Sequence, residues 1–302
     1  MKVCVHHWDA FTNQPGKGNP AGIVLNAQGL SEQFMQAIAR IIGFNDTAFV
    51  SPCNNADFRI RYFAPNREVE LCGHATIAAF SALYQRQLLP DAKRARSYTL
   101  ETKAGVISVE IQDSSDGSPL IVMNQGTARF SPFDGDCEAL ARAIGIDTSD
   151  LHATLPIMYG STGRWTLLVP VKCLDVIQRM SPDANEFNVV LTDKPGASIH
   201  PFCLDTINPR AQVHARHFSS PSSGTVEDAV TGTASGVLGA YYQQYVDALD
   251  DDKQPLIIEQ GYEVGREGTV QVWTSKQDDN YIVSIAGSAC FVEDIDVEIA
   301  EA

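Results

Sequence analysis

Hydrophobic and polar positions along the chain single out one stretch that predicts a strand running directly into a helix. Residues 68–71 alternate between glutamate and an apolar side chain, the period-2 pattern of a half-buried strand. Gly73 then permits a sharp turn before the small and apolar residues at 75–83, which predict a helix. Backbone N–H groups at a helix N-terminus lack intrahelical partners and carry the positive end of the helix dipole. The turn is therefore suited to binding an anion such as a carboxylate.

A second copy of this arrangement occurs about half a chain later. The first copy covers residues 61–76 and the second covers residues 216–235. Each copy has a strand with Arg, one residue and Phe, then Pro, acidic residues and a Gly-x-Ala-Thr/Ser segment that opens a helix. The order and spacing match over several positions, which favours a two-fold internal repeat over chance similarity. Two like halves predict a cleft between them, with both helix N-termini facing it.

The pattern elsewhere predicts further strands and helices in both halves. Ser31 is the predicted N-cap of a helix that runs to Ile42, and Gly43 is the residue expected to end it. The predicted apolar face of this helix comprises Phe34, Met35, Ile38, Ile41 and Ile42. The second half has its own predicted central helix at 230–245. A loop at 11–21, rich in Asn, Gly and Pro, either presents backbone to a ligand or simply connects two strands.

Composition and charge indicate a globular protein that binds a small molecule. The 302 residues are 44% hydrophobic and 20% charged, and the formal net charge is −15. This acidity argues against a nucleic-acid partner or an anionic membrane surface. Residues 1–9 do not resemble a signal peptide, and no apolar run approaches the roughly 18 residues of a membrane span. We therefore expect a cytoplasmic protein.

The seven cysteines are expected to be free thiols, mostly buried. Their number is odd, and they lack metal-type spacing such as C-x-x-C. The pair His6 and His7 is assigned to a strand rather than to a metal site. The sequence thus predicts no metal site.

Nine short motifs, spread nearly from end to end, carry a resemblance to a known family. The chain resembles the PhzF-like family, the phenazine-biosynthesis isomerases and their relatives, which share the diaminopimelate epimerase fold. The motifs are DAFT at 9–12, GNPAG at 18–22, MQAIA at 35–39, DTAF at 46–49, RYFAP at 61–65, CGHAT at 72–76, GTVED at 224–228, TGTA at 231–234 and QG at 260–261.

The resemblance implies an α+β protein with two similar domains, each a curled antiparallel sheet around a central helix. We place the first domain at 1–125, joined by a C-terminal strand at 282–300, and the second at 126–281. The active site is expected in the cleft between the domains. We also expect a homodimer.

The resemblance also implies the chemistry and the residues that perform it. Asp46 matches the acid/base carboxylate that moves a proton between carbons of a small carboxylic acid, without a cofactor. His74 and Asp228 match residues that bind and orient the substrate. The further candidates for substrate binding are Gly73, Gly232, Thr233 and Asn19. Phe44 and Phe49 are expected to flank Asp46 and to desolvate its charged form.

The chain departs from the family pattern at one site residue, and two alternatives stay open. Family members usually have Glu where this chain has Asp46, and the missing methylene withdraws the carboxylate by roughly 1.5 Å. A binding or regulatory protein with little turnover is therefore one alternative. The other is an amino-acid racemase that uses two thiols, for which Cys72 stands at the first position. The equivalent turn of the second half offers Thr231 instead of a second thiol, so Cys72 is expected to be a packed bystander.

Overall fold

The computed structural model describes residues 1–90, 96–114, 117–221, 223, 225–247 and 254–299. The chain divides into two compact units: Met1–Asn124 together with Ala286–Ala302, and Gln125–Ile285. Gly224 of the predicted GTVED motif and residue 300 of the predicted last strand lie outside the described residues. No helix in the described part of the chain is long and apolar enough to cross a membrane.

The described residues form seventeen strands and six α-helices. The strands β1 to β8 are Lys2–Ala10, Asn19–Val24, Asp46–Ser51, Phe58–Ala64, Arg67–Val69, Ser97–Thr102, Gly105–Asp113 and Pro119–Asn124. The strands β9 to β17 are Arg129–Pro132, Met158–Ser161, Trp165–Pro170, Ser198–Cys203, Val213–Ala215, Leu256–Gln260, Gly268–Gln277, Asn280–Gly287 and Ala289–Glu298. The helices α1 to α6 are Glu32–Ile42, Gly73–Gln85, Cys137–Ala143, Leu174–Gln178, Phe187–Val190 and Gly232–Tyr245. Two 3-10 helices cover Thr148–Asp150 and Tyr262–Val264.

The first unit is a curled sheet around α2. Its strands follow the order β17–β1–β2–β3–β4, and β4 also pairs with β5 and with β6, which continues to β7 and β8. The pairs are antiparallel except for β2–β3 and β4–β6, which are parallel. Helix α2 contacts β1, β2, β3, β8 and β17, and all its residues from Gly73 to Leu83 are buried. A helix buried on every side explains why 75–83 has small and apolar residues throughout instead of an amphipathic stripe.

The predicted caps of α1 are confirmed, but one residue of its predicted apolar face is exposed. The Ser31 side chain accepts a hydrogen bond from the backbone N–H of Phe34, and Gly43 ends the helix with a φ of 72°. Met35 and Ile38 are buried. Ile41, by contrast, is 58% exposed. It lies roughly 90° around the helix from the stripe that faces β3 and β4, so its assignment to the core face was wrong.

The second unit has a comparable organisation around α6. Its strands pair in the order β9–β10–β11–β12–β13–β14–β15, and β11–β12 and β13–β14 are parallel. Helix α6 contacts β10 and β15, and most of its first nine residues are buried. The short helices α3, α4 and α5 contribute to a separate core cluster that includes Leu167, Ile199 and Phe187.

The sequence repeat corresponds to a repeated local structure in the two units. In the first unit, the Arg61 guanidinium lies 5.0 Å from the Phe63 ring centroid, and its Nε donates to Glu68 Oε1 at 2.7 Å. In the second unit, Arg216 lies 4.9 Å from the Phe218 ring centroid. Its Nε donates to Glu227 Oε1 at 2.9 Å. Each arginine thus ties its own segment of the chain to the acidic residue that precedes the glycine turn.

A buried ionic cluster stabilises the second unit near the end of β14. His214 Nδ1 lies 2.7 Å from Glu259 Oε1, and His214 Nε2 lies 2.9 Å from Glu263 Oε1. Burial opposes protonation of His214, but hydrogen bonds to the two carboxylates and their charges outweigh it and raise its pKa to about 9. The pKa of Glu259 is lowered, against the effect of burial, by His214 and by the backbone N–H groups of Ile207 and Asn208.

Gly261 follows β14 in a conformation that few other residues adopt. Its φ is 93°, and a Cβ there would lie 2.3 Å from the carbonyl oxygen of Arg266 and 2.8 Å from that of Ala229. Gly265, four residues later, has a φ of 69°, and a Cβ added to it would meet no atom within 4 Å. A side chain at either position would suffer backbone strain, but only one at Gly261 would also overlap with neighbouring atoms.

We expect Gly261→Ala to destabilise the protein far more than Gly265→Ala. Left-handed strain alone should cost Gly265→Ala about 1 kcal/mol, while overlap with two carbonyl oxygens should bring Gly261→Ala to at least about 3 kcal/mol. Urea unfolding followed by circular dichroism measures both values. Equal losses in the two variants would contradict the described packing around Gly261.

We expect the protein to lose stability as the pH rises from about 6.5 to about 9 and above, through deprotonation of His214. The folded pKa is raised above the unfolded value, so the stabilisation is complete below about pH 6.5 and is lost as the pH passes about 9. The loss should reach up to about 3 kcal/mol.

The difference between wild type and His214→Gln isolates this contribution, because other titrating groups cancel. Urea unfolding across this pH range should give a stability difference that shrinks as the pH rises. A difference independent of pH would contradict the raised pKa of His214.

Candidate active site

Asp46 and His74 lie together in the first unit. Asp46 is the first residue of β3, and His74 is the second residue of α2. The distance from Asp46 Oδ2 to His74 Nε2 is 3.9 Å, and the two side chains are 16% and 8% exposed. This separation suits a charge interaction but exceeds a direct hydrogen bond. The structure therefore brings the predicted base and one predicted substrate-binding residue into one group.

A chain of hydrogen bonds fixes the turn that carries His74. The hydroxyls of Tyr62 and Thr76 are 2.6 Å apart, and Thr76 Oγ1 donates to the Cys72 carbonyl oxygen at 2.7 Å. Burial raises the pKa of Tyr62, and the nearby charges of Cys72 and Asp46 raise it further. The hydrogen bond with Thr76 acts in the opposite direction and lowers the pKa. Tyr62 and Thr76 were not among the predicted site residues. Their presence in the RYFAP and CGHAT motifs is the signal that could have identified them.

Cys72 is the N-cap of α2 and lies against the His74 ring. Its Sγ is 3.3 Å from His74 Nδ1 and 3.7 Å from Nε2, and its own backbone is extended, with a φ of −134°. Ligand atoms of Asp46, Cys72 and His74 all lie within 4.8 Å of one another. The thiol is thus a neighbour of the candidate site, although the sequence predicts a bystander. Carboxylate, thiol and imidazole are also groups that could hold a metal ion.

The expectation that Phe44 and Phe49 flank Asp46 is only partly compatible with the structure. Side chains alternate along a strand, so Phe49 points to the opposite face of β3 from Asp46. Phe49 packs edge-on against Phe63, with ring centroids 5.5 Å apart, in the cluster that includes α1. The Phe44 ring lies against the His7 ring, with centroids 4.4 Å apart and the ring planes tilted by 38°. Phe49 therefore does not desolvate the Asp46 carboxylate.

A buried aspartate fixes the loop that precedes Asn19. Asp9 Oδ2 accepts a hydrogen bond from the backbone N–H of Gly16 at 2.7 Å. Gly18 has a φ of 62°, and a Cβ there would lie 2.1 Å from the Ala10 carbonyl oxygen. Asn19 is fully buried at the start of β2. In the parallel pairing of β2 and β3, Ala21 lies opposite Asp46, and Asn19 is two residues before Ala21.

The second unit assembles Asp228 at the N-terminus of α6. Thr231, the N-cap, donates from Oγ1 to Asp228 Oδ2 at 2.6 Å. The Gln260 amide donates to the Asp228 carbonyl oxygen at 2.8 Å and accepts from the Thr231 backbone N–H at 3.2 Å. Gly232 and Thr233 are the first two residues of α6. Thr231 and Gln260 thus hold Asp228 beside the helix N-terminus.

Two buried histidines lie next to this group. His217 Nδ1 is 3.2 Å from His200 Nδ1. Burial lowers the pKa of His217 to about 4, with the charge of Asp228 opposing the change. The pKa of His200 is also lowered, by burial and by His217. Burial therefore disfavours a positive charge on either ring beside Asp228.

The predicted site residues therefore fall into two groups, one in each unit. Asp46, His74 and Gly73 form the first, and Asp228 belongs to the second, together with the start of α6. The predicted cleft shared by both groups stays a prediction. The first group offers a carboxylate for proton transfer, and both offer the backbone N–H groups of a helix N-terminus for an anion.

Comparisons with known proteins identify the family. A family profile described as phenazine biosynthesis-like protein matches residues 8–294. The uncharacterized isomerase YfhB of Bacillus subtilis is 45% identical over 286 residues, covering 95% of each chain. The trans-2,3-dihydro-3-hydroxyanthranilate isomerase of Pseudomonas fluorescens is 29% identical over 259 residues, covering 85% of each chain.

A solved structure shares the fold over nearly the whole chain. The phenazine biosynthesis protein of the PhzF family from Bacillus anthracis is 48% identical, with a TM-score of 0.95, and the match covers 99% of this chain and 100% of that one. The predicted fold class is thereby confirmed. The chain belongs to the PhzF family of phenazine biosynthesis-like proteins and is an isomerase or epimerase of that family.

Proposed function

We propose that the protein is a cofactor-independent isomerase that moves a proton between two carbons of a small carboxylic acid. The observation that supports this most directly is the Asp46 carboxylate 3.9 Å from the His74 imidazole, beside the N-terminus of α2. A relative is named for the isomerisation of a dihydro-hydroxyanthranilate, itself a carboxylic acid. We extend to this chain only the chemical class of that substrate.

Asp46 is proposed to act as both base and acid. It takes a proton from an activated carbon of the substrate, and the electron pair of the broken C–H bond moves into the conjugated system. The protonated Asp46 then returns the proton to another carbon on the same face, so that Asp46 is regenerated. Positioned proton transfer of this kind contributes roughly 10²- to 10⁴-fold to a rate.

His74 and the helix N-terminus are proposed to hold the polar end of the substrate. His74 is buried, with only 7% of its surface exposed, and its ring is confined by contact with Cys72 Sγ at 3.3 Å. The backbone N–H groups at Gly73 begin α2 and are proposed to bind an anion, and the helix dipole favours negative charge that develops as the proton leaves. Asn19, buried at the start of β2, is proposed to contribute a polar contact to the same substrate.

Asp228 is proposed to bind a second polar group of the substrate. Its carboxylate accepts the Thr231 hydroxyl, and the Gln260 amide fixes its backbone. Gly232 and Thr233 then supply the N–H groups of a second helix N-terminus. We regard Thr231 and Gln260 as positioning residues, because they act through Asp228.

The two-thiol racemase is less well supported than the single-base isomerase. In the repeat, Thr231 is the N-cap that corresponds to Cys72, and a hydroxyl engaged with Asp228 at 2.6 Å is a poor proton donor and acceptor for carbon. A small-acid binding protein is the remaining alternative. It would bind the same ligands without exchanging their protons.

Replacing Asp46 should separate proton transfer from binding. Small carboxylic acids, including trans-2,3-dihydro-3-hydroxyanthranilate, are first screened for thermal stabilisation of the protein. For each hit, Asp46→Asn should reduce exchange of substrate protons in D₂O by at least about 10²-fold while leaving the Kd within about threefold. Asp46→Glu should retain or raise the rate.

The exposed Asp134→Asn variant serves as a matched control and should exchange like wild type. Full exchange in Asp46→Asn would show that this carboxylate is not the base. Stabilisation without exchange in wild type would identify a binding protein instead.

Replacing Thr231 should weaken substrate binding through Asp228. Thr231→Val keeps the side-chain shape and removes the hydroxyl donor, so we expect KM to rise by about tenfold, with a smaller change in kcat. Thr231→Ser restores the donor and should recover KM. An equal loss in both variants would indicate a structural role for Thr231 and would contradict its assignment as a positioning residue.

A further inference from the structure

A second cluster of chemically active side chains lies at the paired first and last strands, β1 and β17. Cys4 and His6 are two residues apart on β1, so their side chains lie on the same face of the sheet. The antiparallel register sets His6 opposite Asp294 and Cys4 opposite Asp296. His6 is buried, while Cys4 and Asp294 are exposed.

The ligand atoms of this cluster converge on one point. His6 Nδ1 is 2.5 Å from Asp294 Oδ1 and 3.8 Å from Cys4 Sγ. All three ligand atoms lie within 4.8 Å of one another. Ligands of a tetrahedral zinc ion are roughly 3.3–3.7 Å apart, given Zn–N and Zn–S bonds of about 2.0–2.3 Å. The Cys4–His6 pair is close to this geometry, and the Asp294 side chain has to withdraw by about 1 Å.

A cation already lies at this point. Arg86, the C-cap of α2, places Nη2 3.0 Å from His6 Nδ1 and 3.4 Å from Asp294 Oδ1. His6 Nδ1 cannot accept a hydrogen bond from Arg86 and donate one to Asp294 at the same time. The Arg86 guanidinium therefore leaves one of these two hydrogen bonds of His6 Nδ1 unmade. The Arg86 side chain is 39% exposed, which leaves it room to withdraw.

The identity of the three groups selects the ion. A thiolate, an imidazole and a carboxylate are ligands of zinc, whereas Mg²⁺ and Ca²⁺ prefer oxygen ligands alone. A thiol carries its proton near neutral pH, so a metal has to displace that proton in order to bind Cys4. Zn²⁺ is able to do so, because it deprotonates coordinating thiols.

We propose that Cys4, His6 and Asp294 form a zinc site that links the first strand to the last, and that Zn²⁺ displaces Arg86 from it. The fourth ligand would be water. Binding would add a crosslink to a strand pair that already carries the ion pair of Lys2 with Asp296 at 2.8 Å. This inference is independent of the proposed isomerase activity.

The test has to separate this cluster from Asp46, Cys72 and His74, which also group ligand atoms. We therefore use the full chain with Cys72→Ser throughout, stripped of metal with a chelator and desalted. Isothermal titration with Zn²⁺ should give one site with micromolar or tighter affinity. Adding Cys4→Ala or Asp294→Asn should weaken binding by at least about tenfold. Cys137→Ala, at another exposed free cysteine, is the matched control and should leave binding unchanged.

The Arg86→Ala variant tests whether Zn²⁺ displaces the arginine or binds while the arginine stays in place. Removal of the competing cation should tighten Zn²⁺ binding severalfold. Co²⁺ in place of Zn²⁺ should give a thiolate-to-metal absorption band that disappears with Cys4→Ala. Zn²⁺ should also raise the Tm of the Cys72→Ser protein but not of its Cys4→Ala derivative.

Three outcomes would overturn the proposal. The first is the absence of Zn²⁺ binding in Cys72→Ser, provided its circular dichroism spectrum matches that of wild type. If the spectrum of Cys72→Ser differs from that of wild type, Co²⁺ absorption is compared between wild type and Cys4→Ala. A thiolate-to-metal band that is as strong in Cys4→Ala as in wild type would then contradict the site. The second is unchanged affinity in Cys4→Ala. The third is weaker binding in Arg86→Ala.

Discussion

The arrangement of the candidate site depends on the hydrogen bonds that hold the turn before α2. The Tyr62 hydroxyl contacts the Thr76 hydroxyl, which in turn donates to the carbonyl oxygen of Cys72. This chain fixes an extended N-cap directly before the first helical residue, and so determines where His74 points relative to Asp46. All of its members are buried, where an unmade hydrogen bond costs about 1–3 kcal/mol, and the geometry is therefore strongly enforced.

The two units use the same local structure with different polar side chains. Each has an arginine over a phenylalanine, an acidic partner and a glycine that opens a buried helix. Where the first unit has Cys72 against His74, the second has Thr231 bonded to Asp228. The shared part builds the helix N-termini, and the differing part places an imidazole beside one of them and a carboxylate beside the other.

Local features were predictable from the sequence because they depend on neighbouring residues. The Ser31 cap, the Gly43 terminus and the strand-to-helix turn at Gly73 follow from side-chain chemistry within a few positions. The resemblance to the PhzF-like family then indicated the fold and the grouping of Asp46 with His74. Ile41 was misplaced because helix periodicity alone does not reveal how wide the covering sheet is.

Features that depend on contacts between residues far apart in the sequence could not be predicted from local sequence patterns. Phe49 is close to Asp46 in sequence but faces the other side of β3. The His6–Asp294 pair is separated by 288 residues, so no local pattern links its members. The ionic cluster of His214 with Glu259 and Glu263 likewise joins residues on separate elements.

In the proposed mechanism, a single carboxylate carries the proton from one carbon to another. The most direct measurement uses a substrate deuterated at the donor carbon, turned over once in ordinary water, with the label in the product located by NMR. With a single base, part of the deuterium should reappear at the acceptor carbon, on the face from which it was removed, because Asp46 would hold it between the two steps. Complete loss of the label to solvent, with protonation from the opposite face, would contradict a single base and require a second one.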